Sequence, residues 1–255
     1  MSSPYDQILL FGDSILQQSC NQEGGFGLTP ALQDAFIRRL DVVNRGLSGY
    51  NTQQALKVLA KIIRPPHQAK IRFMILLFGA NDACLPNSHT KQGIPLGEYR
   101  ENLKTICTHP AVEAHKPRIV VMIPPPVDEY ALAQWDGSSD GHPTRSAERT
   151  KEFARAAREA ARELQLPILD VWSLLMSRTG WKEGQPLPGS KDNPKVTLLD
   201  EFLYDGLHLT SKAYKLVFEN LMSIMESQWP DQVPERLPFV LPAWDDGDKW
   251  RASSV

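Results

Sequence analysis

Four short clusters in the chain carry residue types that could do chemistry together. The first is Phe11-Gly12-Asp13-Ser14-Ile15, where Ser14 offers a hydroxyl nucleophile as an apolar run ends. Gly-Asp-Ser serves equally well as a turn and helix cap, because Asp and Ser favour both roles. The second cluster is Asn44-Arg45-Gly46-Leu47-Ser48-Gly49-Tyr50-Asn51-Thr52, rich in glycine and small polar residues. Backbone N–H groups freed there can point at an anion, although a loop capped by Asn51 or Thr52 explains the same residues. The third, Gly79-Ala80-Asn81-Asp82, closes the most apolar run of the chain, and the Asn81 amide can donate a hydrogen bond. The fourth is Tyr204-Asp205-Gly206-Leu207-His208-Leu209-Thr210, with a carboxylate and an imidazole three residues apart. A carboxylate so placed can accept from one ring nitrogen and leave the other free as a base. A serine hydroxyl needs that base, since it is a weak nucleophile at neutral pH. Together the clusters hold a nucleophile, a base with its orienting acid, and two sets of donors.

These residues meet only if secondary structure brings them to one place. Apolar runs at 7–11, 41–44, 71–78, 118–123 and 167–171 have the length and Val/Ile/Leu/Phe content of strands buried on both faces. Between them, Ala55, Leu56, Leu59, Ile62 and Ile63 recur at helical spacing over 51–63, and Pro65-Pro66 ends the pattern. Residues 29–40, 96–108 and 143–164 read as further helices, and 212–225 as a last one. The Arg and Glu residues of 143–164 are expected on a solvated face laced with i,i+4 pairs. Strands alternating with helices imply an open parallel sheet covered on both faces. Ligands bind such sheets outside the carboxyl ends of the strands, where the first three clusters begin. Irregular stretches at 124–142 and 180–195 are long enough to shape a site. The expected division is one domain over 1–228 and, over 229–255, an arm packed on that domain or on a neighbouring subunit. Its Phe239, Val240, Leu241 and Trp244 are expected to help wall a pocket.

In chain order the four clusters resemble the Ser, Gly, Asn and His blocks of the SGNH subgroup of GDSL-type esterases. The longer stretches from Asn44 to Thr52 and from Asp205 to Thr210, with Pro125-Pro126-Val127-Asp128-Glu129, are similar to its isoamyl acetate-hydrolysing branch. The resemblance runs from the first strand to the last helix. It implies a three-layer α/β/α fold around a mostly parallel five-stranded sheet, the flavodoxin-like SGNH hydrolase fold. It implies hydrolysis of short-chain acyl esters of small alcohols without metal or organic cofactor. By matching position Ser14 would be the nucleophile, His208 the base and Asp205 its orienting carboxylate. The oxyanion donors would be the N–H groups of Ser14 and Gly49 and the Asn81 amide, with Gly46 an alternative to Gly49. Other branches imply acylated sugars or lipids as substrates. A Gly-x-Ser-x-Gly string occurs only from Gly137 to Gly141, inside the irregular stretch and not directly after an apolar run, so the nucleophile elbow of α/β-hydrolases is disfavoured.

Composition narrows the remaining classes. Over 255 residues, 28 Lys and Arg against 30 Asp and Glu give a net charge of −2, so no broad positive field exists to hold nucleic acid. The longest apolar run, from Phe73 to Ala80, is far short of the ~20 residues of a membrane span. The start carries no basic segment before its short apolar run. Three scattered cysteines suggest no disulfide framework, so a cytoplasmic protein is expected. His67, His89, His109, His115 and His142 show no metal-ligand spacing. Cys84 reads as a small buried hydrophobe, with lining of the pocket near Asn81 as the alternative. The expected partner is a small-molecule ester, and a homodimer follows if the arm covers a neighbour's site. A doubly wound binding protein for a flavin or nucleotide competes, but neither Gly-x-Gly-x-x-Gly nor a P-loop is present. An inactive scaffold relative is the third reading.

Overall fold

The protein's structure, a computed structural model, describes residues 4–135 and 144–252. Along them run β1 (Asp6–Gly12), α1 (Ser14–Gln18), α2 (Leu28–Ala35), β2 (Leu40–Gly46), α3 (Thr52–Ile62) and β3 (Ile71–Leu77). There follow α4 (Leu96–Cys107), α5 (Pro110–Glu113), β4 (Arg118–Ile123), α6 (Glu129–Trp135) and α7 (Ala147–Glu163). Then come β5 (Ile168–Asp170), α8 (Val171–Arg178), α9 (Ser211–Gln228) and α10 (Gly247–Ala252). The strands form one sheet in the order β2-β1-β3-β4-β5, with every neighbouring pair parallel. Helices α3, α4 and α7 contact one another in series, while α2 contacts α9, which gives the two helical layers flanking the sheet. The chain leaves β1 toward β2 and then crosses to the other side for β3. The loops after β1 and β3 therefore diverge and open a crevice at their carboxyl ends.

Central strands carry the core. Residues Phe73 to Leu77 and Val120 to Ile123 are at most 3 % exposed. Strand β2 departs from the expected burial on both faces, because it is the sheet edge: Asp41 and Arg45 are exposed and Val42 and Val43 half-buried. Helix α3 starts where the sequence places it, through a capping box in which Asn51 and Gln54 each accept from the other's backbone N–H. Helix α2 stops short of residue 40, since Arg38 takes a left-handed φ of 63° and Leu40 already belongs to β2. Strand β5 is cut to three residues because Asp170 caps α8, accepting from the Ser173 N–H.

Helix α7 lays an alanine-rich face, Ala154, Ala157, Ala160 and Ala161 with Phe153, against α4 and β4. Its opposite face is solvated and carries the i,i+4 pair Arg155–Glu159, as expected, but two of its arginines depart from that expectation. Arg149 turns in to donate to the carbonyls of Ala83, Cys84 and Ile94, and Arg158 pairs with Asp170 at 2.6 Å. The expected helix start at Pro143, His142 and the end of the 124–142 stretch fall outside the described residues; within that stretch lies α6.

The segment after α9 runs along the amino ends of the strands. Trp229 packs edge-on against Phe73 near the start of β3, with ring centroids 5.5 Å apart. Phe239 sits under the guanidinium groups of Arg38 and Arg39, at 4.1 and 4.5 Å, just before β2 begins. Val240 N–H donates to the Arg38 carbonyl, and Arg39 Nε to the Leu237 carbonyl. Phe239 and Val240 are thus held at the amino end of β2, away from the crevice at the carboxyl ends of the strands. No helix among the described residues is long and apolar enough to cross a membrane.

Candidate active site

Asp13 follows β1 and caps α1 by accepting the Ile15 N–H at 3.0 Å. That cap turns the chain off the sheet and makes Ser14 the first helical residue, at the mouth of the crevice. From the far end of the chain, residues 202–210 fold back on themselves, with Tyr204 N–H donating to the His208 carbonyl and Thr210 N–H to that of Phe202. At the tip, Asp205 Oδ1 accepts from the N–H groups of Leu207 (3.0 Å) and His208 (2.8 Å), an Asx turn. Its Oδ2 lies 2.6 Å from His208 Nδ1, and His208 Nε2 lies 2.9 Å from Ser14 Oγ. Ser14, His208 and Asp205, separated by up to 194 residues, therefore form one hydrogen-bonded line.

Electrostatics suit that line. Burial by itself would raise the Asp205 carboxyl, but the hydrogen bond and charge of His208, with two backbone N–H donors, outweigh it and hold the group below its ordinary range. An ionised carboxylate on Nδ1 fixes the ring so that Nε2 faces the serine hydroxyl. Tyr204 stacks on the imidazole, with centroids 5.8 Å apart and planes 20° apart, and its hydroxyl bonds Gln18 at 2.8 Å. Gly206, at φ +86°, sits where a Cβ would lie 2.5 Å from the Asp128 carbonyl. The Asp128 N–H donates to the Gly206 carbonyl, so the loop after β4 locks the histidine loop in place.

The donor side comes from the loops after β2 and β3. Gly49 has φ +80°, and its N–H makes no hydrogen bond among the described residues. Gln92 fixes the peptide that follows, donating from Nε2 to the Gly49 carbonyl while its own carbonyl accepts from Asn51. The alternative donor, the Gly46 N–H, is already given to Asn44 Oδ1 at 2.8 Å. Asn81 Nδ2 donates to the Tyr50 carbonyl at 2.9 Å, which leaves its second N–H unused among the described residues. Arg145 Nη2 donates to Asn81 Oδ1 at 2.8 Å.

Two carboxyls underlie these loops. Asp82 accepts from Thr52 N–H and Oγ1, tying the β3 loop to the head of α3. Burial pushes Asp82 up to about 6 and Asp13 up to about 7, and one oxygen of each is buried with no hydrogen-bond partner.

All five residues singled out in the sequence lie on the loops of one crevice edge, Ser14, Asp205 and His208 in direct contact. Gln92, Arg145 and the ring of Tyr204 were not singled out. They act through side chains that reach across loops, which no spacing within the chain reveals. Cys84 is buried, with Sγ 3.5 Å from Gln92 Oε1. Among the described residues no group of three His, Cys, Asp or Glu side chains could hold a metal ion.

The chain is similar to known proteins along most of its length. The profile of the GDSL-like Lipase/Acylhydrolase family matches residues 10–216. The chain is 34% identical over 244 residues to the isoamyl acetate-hydrolyzing esterase 1 homolog of Bos taurus, covering 95% of this chain and 88% of that protein. It is 33% identical over 242 residues to a GDSL esterase/lipase of Arabidopsis thaliana, covering 92% and 91%. Among solved structures, a lipase/acylhydrolase from Enterococcus faecalis superposes with a TM-score of 0.60 at 24% identity, over 93% of this chain and 100% of that one. An acetylxylan esterase from Geobacillus stearothermophilus gives 0.59 at 15% identity, over 88% and 95%.

Proposed function

The chain belongs to the GDSL-like lipase/acylhydrolase family of carboxylic ester hydrolases, and from that membership we propose that it cleaves short-chain acyl esters of small alcohols through Ser14. The observation that carries this reading is the unbroken contact from Asp205 through His208 to Ser14 Oγ. Ser14 Oγ attacks the ester carbonyl while His208 Nε2 takes its proton, and Asp205 stabilises the imidazolium. The carbonyl oxygen becomes an oxyanion facing the N–H groups of Ser14 and Gly49 and the unused N–H of Asn81. Collapse of this intermediate breaks the bond to the alkoxy group, which leaves with the proton from His208, and the acyl group stays on Ser14. Water, deprotonated by His208, then attacks the acyl-enzyme and releases the acid. Pre-aimed donors matter because they need no reorganisation as charge develops, and each contributes on the order of 10² to 10³ in turnover.

Acetate as the acyl group is supported by the relatives, four isoamyl acetate-hydrolyzing esterase homologs at 33–34% identity over 95% of this chain. Hydrolysis of p-nitrophenyl acetate, butyrate and octanoate by the protein and its Ser14→Ala variant tests the proposal. Rates that fall with chain length and vanish in the variant are expected. Equal rates from the two proteins would remove Ser14 from the chemistry, and a preference for octanoate would overturn the short-chain assignment.

A further inference from the structure

Arg145 presents a physical puzzle. It is 4 % exposed, and burying a guanidinium costs several kcal/mol unless the charge is paired. Yet it forms no ion pair among the described residues: its donors go to neutral acceptors, and the buried Asp13 carboxyl acts on it only through space. Nε donates to the Ala80 carbonyl at 2.5 Å, Nη1 to Thr144 Oγ1 at 2.8 Å and Nη2 to Asn81 Oδ1 at 2.8 Å. Two of these three bonds hold consecutive residues of the loop after β3, and one falls on the Asn81 amide itself. An apolar side chain of similar volume would fill the same space without burying a charge.

We propose that Arg145 is a positioning residue that orients and polarises the Asn81 amide as a donor to the reaction's oxyanion. The inference rests on the reading of Asn81 as such a donor. A guanidinium nitrogen against Oδ1 excludes the flipped amide, which would turn its NH2 group against the Nη2 donors of Arg145. With Nδ2 fixed on the side of the Tyr50 carbonyl, one N–H is satisfied there and the other is left for the crevice. Hydrogen bonds in series strengthen one another at low dielectric, so a cation on the amide oxygen makes the opposite N–H a better donor. Growing negative charge on the substrate oxygen is where that gain is felt, so it appears in turnover and not in ground-state binding. The residue comes from the loop before α7, whose Ser146 caps the helix by accepting the Arg149 N–H, so a regular element fixes its base.

The test is steady-state kinetics on p-nitrophenyl acetate for Arg145→Met and Arg145→Lys, each alone and combined with Asn81→Ala. Asn81→Ala alone is expected to lower kcat on the order of 10² to 10³-fold. Arg145→Met acts through Asn81, so its loss stays below that ceiling, at about ten- to a hundredfold in kcat, with KM within about threefold. Arg145→Lys keeps the charge but serves fewer acceptors, and recovers part of the loss. In the Asn81→Ala background either change should cost no more than about threefold further. Equal factors in the two backgrounds, or unchanged kcat in Arg145→Met, would overturn the proposal. Should the Met variant fail to fold, the Lys variant carries the same comparison. An Asn81→Ala loss under about tenfold would instead refute the oxyanion role of Asn81, which separates failure of that reading from failure of this one.

Discussion

Replacing Asp13 with asparagine keeps the cap on α1, since the amide oxygen can still accept the Ile15 N–H, and removes a buried titration. Burial is the largest influence on this carboxyl; the backbone bond from Ile15 works against it, and the net position is about 7 against an ordinary 3.8. A carboxyl raised on folding means that the folded protein holds its proton more tightly than the unfolded chain. Its contribution to stability is complete below the unfolded value, and it is lost as pH climbs through about 7. Between pH 5 and pH 8 the protein crosses about two units of that window at about 1.36 kcal/mol each, a loss of roughly 3 kcal/mol. The Asp13→Asn variant does not share the loss. Urea unfolding of both proteins at pH 5 and pH 8 should show the variant gaining roughly 3 kcal/mol on the wild type at the higher pH. Titrating groups that do not feel Asp13 cancel in the difference, while the charges of Asp82 and His208 act on it and set the tolerance of the comparison. A difference that stays constant within about 1 kcal/mol would refute the reasoning and require Asp13 to be ionised throughout.

Two further outcomes follow from the geometry. Asp205→Asn should lower kcat on the order of 10⁴-fold at neutral pH, because an amide no longer fixes the proton of His208 on Nδ1. Since the Asp205 carboxyl lies below its ordinary 3.8, the wild type's stability advantage over this variant should persist above that pH and fade below it, which thermal melts at pH 7 and pH 3 would check. Phe239→Ala removes two guanidinium–ring contacts and should lower stability by about 1 to 2 kcal/mol while leaving kcat/KM on p-nitrophenyl acetate unchanged. A fall beyond threefold would put the arm at an active site, that of a neighbouring copy in a homodimer, and size-exclusion chromatography would show the change in mass.

The sheet and its site were legible because strands buried on both faces announce themselves by apolar runs, and because the chemistry sits where those runs end. Ser14 and Asn81 follow β1 and β3, the two strands that flank the crevice. What the sequence hid depends on partners distant in the chain. Strand β2 looks as apolar as β1 in its Val42-Val43 centre, and only the sheet order makes it an edge. Helix α8 was obscured because Asp170 both ends β5 and caps the helix, leaving no linker to mark the join. Arg145 and Arg149 stand in a stretch of alternating charge that reads as solvated, and their inward turn depends on carbonyls more than fifty residues away. Phe239 in the arm was expected beside the site and is held at the other edge by a pair of arginines that periodicity does not connect to it.

The packing of the β4 loop against Gly206 bears on how such an enzyme could diverge. The Val127 carbonyl lies where a Cβ on Gly189 would come within 2.1 Å, and the Asp128 carbonyl where one on Gly206 would come within 2.5 Å. This loop is pinned from both sides, and on one side its neighbour carries His208, the proposed base. A lineage that remodelled it to admit a bulkier ester would displace His208 in the same step, so drift in substrate range is barred from this route. Inherited variation in selectivity should accumulate instead in stretches such as Trp181 to Gln185, which are largely exposed and bear no part of the reacting line.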